Sequence, residues 1–157
     1  MERNCIRVEE DNTANVLDCI KNCFELEPVD IKSYSPLTLA FIGDCIFDLV
    51  VKTMIVEEGN CSANKLHRKA SAIVKAESQA LMAEKMLEEG ILTEEEENIY
   101  RRGRNAKSYT TAKNASVSDY RKATGVEALM GYLYLDNRIG RAVELIHYGV
   151  TNILGDN

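Results

Sequence analysis

Two apolar runs, each interrupted by acid and glycine, limit what this chain can fold into. The first reads Ser35-Pro-Leu-Thr-Leu-Ala-Phe-Ile-Gly43-Asp44-Cys-Ile-Phe-Asp48-Leu-Val and the second Thr124-Gly125-Val-Glu127-Ala-Leu-Met-Gly131-Tyr-Leu-Tyr-Leu-Asp136. A carboxylate is costly to bury in apolar surroundings unless it is paired or holds a metal. A glycine inside a helix costs about 1 kcal/mol relative to alanine, and in a buried helix it permits close backbone approach. Acid and glycine recur together in both runs, which predicts two helices packed closely, with a buried Asp44 and Glu127 meeting around a shared divalent cation. Asp48 follows Asp44 by four residues on the same helix face, so it either joins the site or supports it from outside. Hard oxygen ligands of this kind suit Mg²⁺ or Mn²⁺. Taken singly, each acid reads more readily as a capping or ion-paired residue.

The remaining periodicity is helical nearly throughout, and no segment alternates as a strand does. A first helix is predicted from about Asn12 to Phe24, with Val16, Leu17, Ile20 and Phe24 on one face. The second, Pro36 to Glu57, is apolar on nearly all sides through Val51 and so belongs at the centre. Ser62 is the expected N-cap of a third helix, Ala63 to about Val74, which either continues or breaks into another reaching Glu89. Gly90 marks a stop, and Thr93-Glu-Glu-Glu96 reads as a capping box opening a helix that runs into Arg101 and Arg102. A loop from Gly103 to Ser116 follows, then helices over Ser118–Leu135 and about Arg138–Leu154. The fold class is all-α. With no internal repeat, low-complexity tract or linker in view, residues 1–157 form one expected domain.

A chain of 157 residues suffices for one such core. No stretch approaches the roughly 20 apolar residues that span a bilayer. The first ten residues lack the basic start and apolar stretch of a signal peptide, so a cytoplasmic protein without membrane partners is expected. Five cysteines without a Cys-x-x-Cys pair point to reduced thiols rather than zinc or disulfides. Net charge is −6, yet the segment from Arg101 to Gly125 carries +6, leaving −12 for the rest. Such asymmetry marks where a polyanion would touch. From charge alone, a solvated basic loop fits equally well. Glu144-Leu-Ile-His147 has di-iron spacing, but His67 lacks the matching Glu that a second ligand pair would need. A phosphate-binding glycine loop is also lacking.

The segment Phe41-Ile-Gly-Asp44, taken with Val126-Glu127-Ala-Leu-Met-Gly131-Tyr-Leu-Tyr-Leu-Asp136, resembles the catalytic core of ribonuclease III over roughly residues 33–150. The short chain and the run Arg102-Gly-Arg104-Asn105-Ala106-Lys107 resemble its stand-alone subfamily, Mini-ribonuclease III. The resemblance implies a helical endonuclease domain with no double-stranded-RNA-binding domain, dimeric, hydrolysing both strands of double-stranded RNA with Mg²⁺, for which Mn²⁺ is a substitute. Residue by residue, it makes Asp44 and Glu127 the catalytic metal-binding acids. Leu37, Ala40 and Thr124 stand where larger members have further acids, so more of the coordination shell would be water and RNA phosphate.

The implied role is trimming the ends of precursor 23S ribosomal RNA, with a ribosomal protein as a candidate for presenting the substrate. Duplex RNA is met mainly through phosphates and 2′-hydroxyls. Arg102, Arg104, Lys107 and Lys113 are the expected contacts, while Arg121 and Lys122 read as partner-facing or structural. The apolar second helix, through Phe41, Ile42, Cys45 and Ile46, is expected to form a homodimer interface, core burial of the same residues being equally open. Two other functions remain consistent with the residues: a catalytically silent dimer that binds structured RNA, and a helical scaffold without RNA contact.

Overall fold

The computed structural model describes residues 15–107 and 116–154. The chain divides into two compact units, Met1–Asp30 and Ile31–Asn157. The first holds α1 (Val16–Cys23), where the Asn15 side chain accepts a hydrogen bond from the Asp18 amide at 2.9 Å. Asn12, the expected start, lies outside the described residues. The second unit opens with a 3₁₀ turn (Ile31–Ser33). It continues through α2 (Pro36–Glu57), α3 (Ala63–Val74), α4 (Ala76–Glu88), α5 (Glu94–Asn105), α6 (Val117–Leu135) and α7 (Ile139–Leu154). Among the described residues there is no strand, and the fold is all-α.

Local chemistry sets most of these boundaries. Ser35 caps α2 through the Thr38 amide, and Pro36 occupies the first turn, where a missing N–H costs nothing. Ser62 caps α3, and the chain then breaks at Lys75, whose extended backbone (ψ 153°) separates α3 from α4. Gly90 turns the chain out of α4 with φ +61°, a left-handed conformation that glycine adopts without penalty. Thr93 and Glu96 form the expected capping box, each side chain bonding the other's amide. One boundary differs from expectation. α5 continues past Arg102 to Asn105, because Gly103 is a packing residue rather than a stop: a Cβ there would lie 2.7 Å from Ala128 Cβ and 3.0 Å from Gly125 Cα.

Helix α6 is the central element, packed against α2, α4, α5 and α7. Its Val126, Ala128, Leu129, Met130 and Leu133 are buried together with Phe47 and Val51 of α2, Met82 and Met86 of α4, and Leu145 of α7. Helices α2 and α6 are apolar nearly all round, which is why they sit inside while amphipathic α3, α5 and α7 flank them. A buried ion pair ties α7 to the start of α5: Arg141 donates to both Glu96 carboxylate oxygens at 2.9 Å. Burial pushes Glu96 upward, but Arg141 and the Thr93 amide outweigh it and hold the carboxyl below its ordinary value.

Candidate active site

Helices α2 and α6 meet backbone to backbone. A Cβ built on Gly43 would lie 1.6 Å from the carbonyl oxygen of Glu127, and one on Gly131 would lie 2.0 Å from that of Leu39. Only hydrogen fits at either position, so the glycines set the interhelical distance. Asp44 adjoins the first glycine, and Glu127 supplies the carbonyl against which that glycine packs. The crossing thus brings Asp44 close enough for its charge to act on Glu127.

The two acids are not equivalent. The expectation of two buried carboxylates is corrected: Asp44 is exposed, and only Glu127 is drawn inward to a half-buried position. Asp44 shares the outer side of α2 with exposed Phe41 and Cys45, whereas Glu127 projects from the central helix. Burial, and then the neighbouring Asp44 charge, push the Glu127 carboxyl up to about 7, while a hydrogen bond from Gln79 acts in the opposite direction. A cation placed between the acids would relieve both the desolvation and the repulsion, so the donor set fits Mg²⁺ or Mn²⁺. Among the described residues no three Asp, Glu, His or Cys side chains converge, which leaves water and substrate oxygens to complete the shell.

Sequence reasoning passes over Gln79 on α4, which is 3% exposed. Its Nε2 donates to the Val74 carbonyl at 2.9 Å and to Glu127 Oε1 at 3.3 Å. The signal was available: Ser78 and Gln79 extend the buried stripe Met82, Ala83 and Met86 toward the helix start, putting polar groups on a core face. Asp48 pairs with Lys52 one turn on, at 2.7 Å. Where larger enzymes have acids, Ala40 is buried, Leu37 is exposed and the Thr124 hydroxyl donates to the Tyr120 carbonyl.

The basic residues divide by environment. Arg102 and Lys107 are exposed, with Arg102 opening onto a groove of about 880 Å³ that Lys32 and Arg138 also line. Arg104 is half-buried, its guanidinium 5.8 Å from the centroid of the Tyr100 ring. Lys122 is tied to Glu84 at 2.6 Å, and Arg121 is exposed beside it. Lys113 lies outside the described residues.

The described architecture and motif pair have counterparts among known proteins. Residues 37–138 match the family model for the ribonuclease III domain, and the chain belongs to the ribonuclease III family. It is an endoribonuclease of that type. Its relatives belong to the Mini-ribonuclease 3 group. It is 46% identical to Mini-ribonuclease 3 of Enterococcus faecalis over 79% of this chain and 94% of that protein. It is also 45% identical to Mini-ribonuclease 3 of Staphylococcus aureus, over 77% and 90%. A crystal structure of protein FN1578 from Fusobacterium nucleatum superimposes with a TM-score of 0.69 at 30% identity, covering 80% of this chain and 98% of that one.

Proposed function

We propose that this chain is a metal-dependent nuclease for double-stranded RNA, with Asp44 and Glu127 as its catalytic acids, acting as a cytoplasmic homodimer on the ends of precursor 23S ribosomal RNA. The observation that carries the reading is the Gly43–Gly131 crossing, with a half-buried Glu127 pushed up to about 7 beside an exposed Asp44. A carboxyl pushed up by burial and by a neighbouring carboxylate's charge forms a poor structural feature and a good divalent-cation ligand. When bound there, the cation would lower the pKa of a bound water and stabilise charge developing on a phosphate.

The chain's own contribution is positional. Glu127 comes from the central helix, packed against four others, and Asp44 from the helix pressed against it. Asp44's exposure leaves the site open to a duplex. Arg102 and Lys107 supply charge for phosphates, with Lys113 and Arg104 as further contacts. Support for 23S ribosomal RNA comes from the resemblance to stand-alone members of the family. A presenting ribosomal protein would add selectivity that backbone contacts lack.

Asp44→Asn and Glu127→Gln should each abolish cleavage of a plain RNA duplex at saturating Mg²⁺ while leaving duplex binding nearly intact. Wild-type cleavage by either variant would refute the site. The homodimer reading is supported by the outer stripe of α2, where Leu37, Phe41 and Leu49 are 40%, 79% and 57% exposed alongside exposed Cys45. Ile46 of that same helix is buried in the protomer's own core, and Ile42 is half-buried. One acidic pair per chain cuts both strands in a single encounter only if two chains act together, and a two-fold axis matches duplex symmetry. A monomer mass by light scattering at micromolar concentration would refute the dimer.

A further inference from the structure

We propose that Gln79 is a working part of the cation site: its amide nitrogen orients the Glu127 carboxylate, and its carbonyl oxygen accepts a hydrogen bond from a water in the cation's hydration shell. This rests on Asp44 and Glu127 holding the cation. Both Nε2 hydrogens are spent, one on the Val74 carbonyl and one on Glu127 Oε1. The Val74 carbonyl is an acceptor only, so the amide cannot be flipped without setting oxygen against oxygen there. The orientation leaves Oε1 buried with no hydrogen-bond partner.

A buried acceptor left without a partner is destabilising, and this one belongs to a side chain touching a proposed catalytic acid. The oxygen and nitrogen of an amide are about 2.2 Å apart from standard bond lengths. With Nε2 at 3.3 Å from Glu127 Oε1, the orphan oxygen lies no more than about 5.5 Å from that carboxylate oxygen. Mg²⁺ is bound at about 2.1 Å and keeps several waters, whose hydrogens need acceptors. The orphan oxygen is such an acceptor. Partners of this kind typically alter metal affinity about 10–100-fold.

The competing role is purely structural, since the Nε2–Val74 bond clamps the break between α3 and α4. Two substitutions separate the roles. Gln79→Met and Gln79→Glu both lose the amide N–H donor to Val74, but only glutamate keeps side-chain acceptor oxygens. Mn²⁺ binding to the full chain, followed by electron paramagnetic resonance, is the readout, with the melting temperature in EDTA beside it. Gln79→Met should bind Mn²⁺ about 10–100-fold more weakly, while Gln79→Glu should bind at least as tightly as wild type although both melt lower. Equal affinity losses in the two variants, or wild-type affinity in Gln79→Met, would overturn the proposal. Should Gln79→Met not fold, Gln79→Glu decides alone: retained or increased affinity supports the role and a loss overturns it. Asp44→Asn and Glu127→Gln are the controls. Wild-type Mn²⁺ affinity in both would instead overturn the acidic pair, a result distinct from failure at Gln79.

Discussion

Replacing the half-buried carboxylate should make the metal-free protein more stable, and by an amount that depends on pH. Glu127 is raised from 4.5 to about 7, first by burial and then by Asp44. Each pKa unit corresponds to about 1.4 kcal/mol, so keeping this group ionised costs the folded state about 3 kcal/mol. The folded protein retains a proton that the unfolded chain loses between pH 4.5 and about 7. Stability therefore falls as pH rises through that window and stays low above it. Glutamine resembles the protonated acid and cannot ionise, and its carbonyl oxygen can still accept from Gln79 Nε2. In EDTA, Glu127→Gln should match wild type near pH 4.5 and exceed it by about 2–3 kcal/mol near pH 8.

Urea unfolding of both proteins across this range isolates the effect, since other titrating groups cancel in the difference. Saturating Mg²⁺ should then stabilise wild type and leave the variant unmoved, because binding to the folded state adds stability in proportion to affinity. A variant less stable than wild type near pH 8 in EDTA would refute the electrostatic reasoning. So would a difference of the same size at both ends of the pH range.

Gly43→Ala should cost about 3 kcal/mol or more, since its Cβ would overlap the Glu127 carbonyl at 1.6 Å and α2 cannot move off α6 without opening the core. A denaturation midpoint near wild type would show that the crossing is looser than described. For RNA binding, Arg102→Ala with Lys107→Ala should flatten the salt dependence of duplex affinity by about 1.4–1.8 in slope, using the value per phosphate contact known for nucleic acids. The loss should be similar for unrelated duplex sequences, and an unchanged slope in filter-binding titrations would move the RNA surface elsewhere.

Much of this protein is legible in its sequence because the deciding interactions are short-ranged. Ser35, Ser62 and the Thr93–Glu96 box each act on an amide within four residues, so their helices begin where the residues say. The recurrence of acid with glycine in apolar runs was equally readable, since each is costly in a buried helix without a compensating contact.

What the tertiary structure alone decided is which side of each helix is covered. Asp44 and Glu127 sit in similar sequence contexts, yet only the second is drawn inward, because α6 is enclosed by four helices and the outer side of α2 is left open. Gly103 reads as a helix stop until α6 is set against it, and Arg104 reads as a free cation until Tyr100 lies beside it. Gln79 lies 48 positions from the carboxylate it touches, a separation over which periodicity carries no information. Local chemistry starts and stops helices within a turn or two. Burial, close approach and the pKa of a carboxylate depend on what another part of the chain lays against it, and only packing decides that.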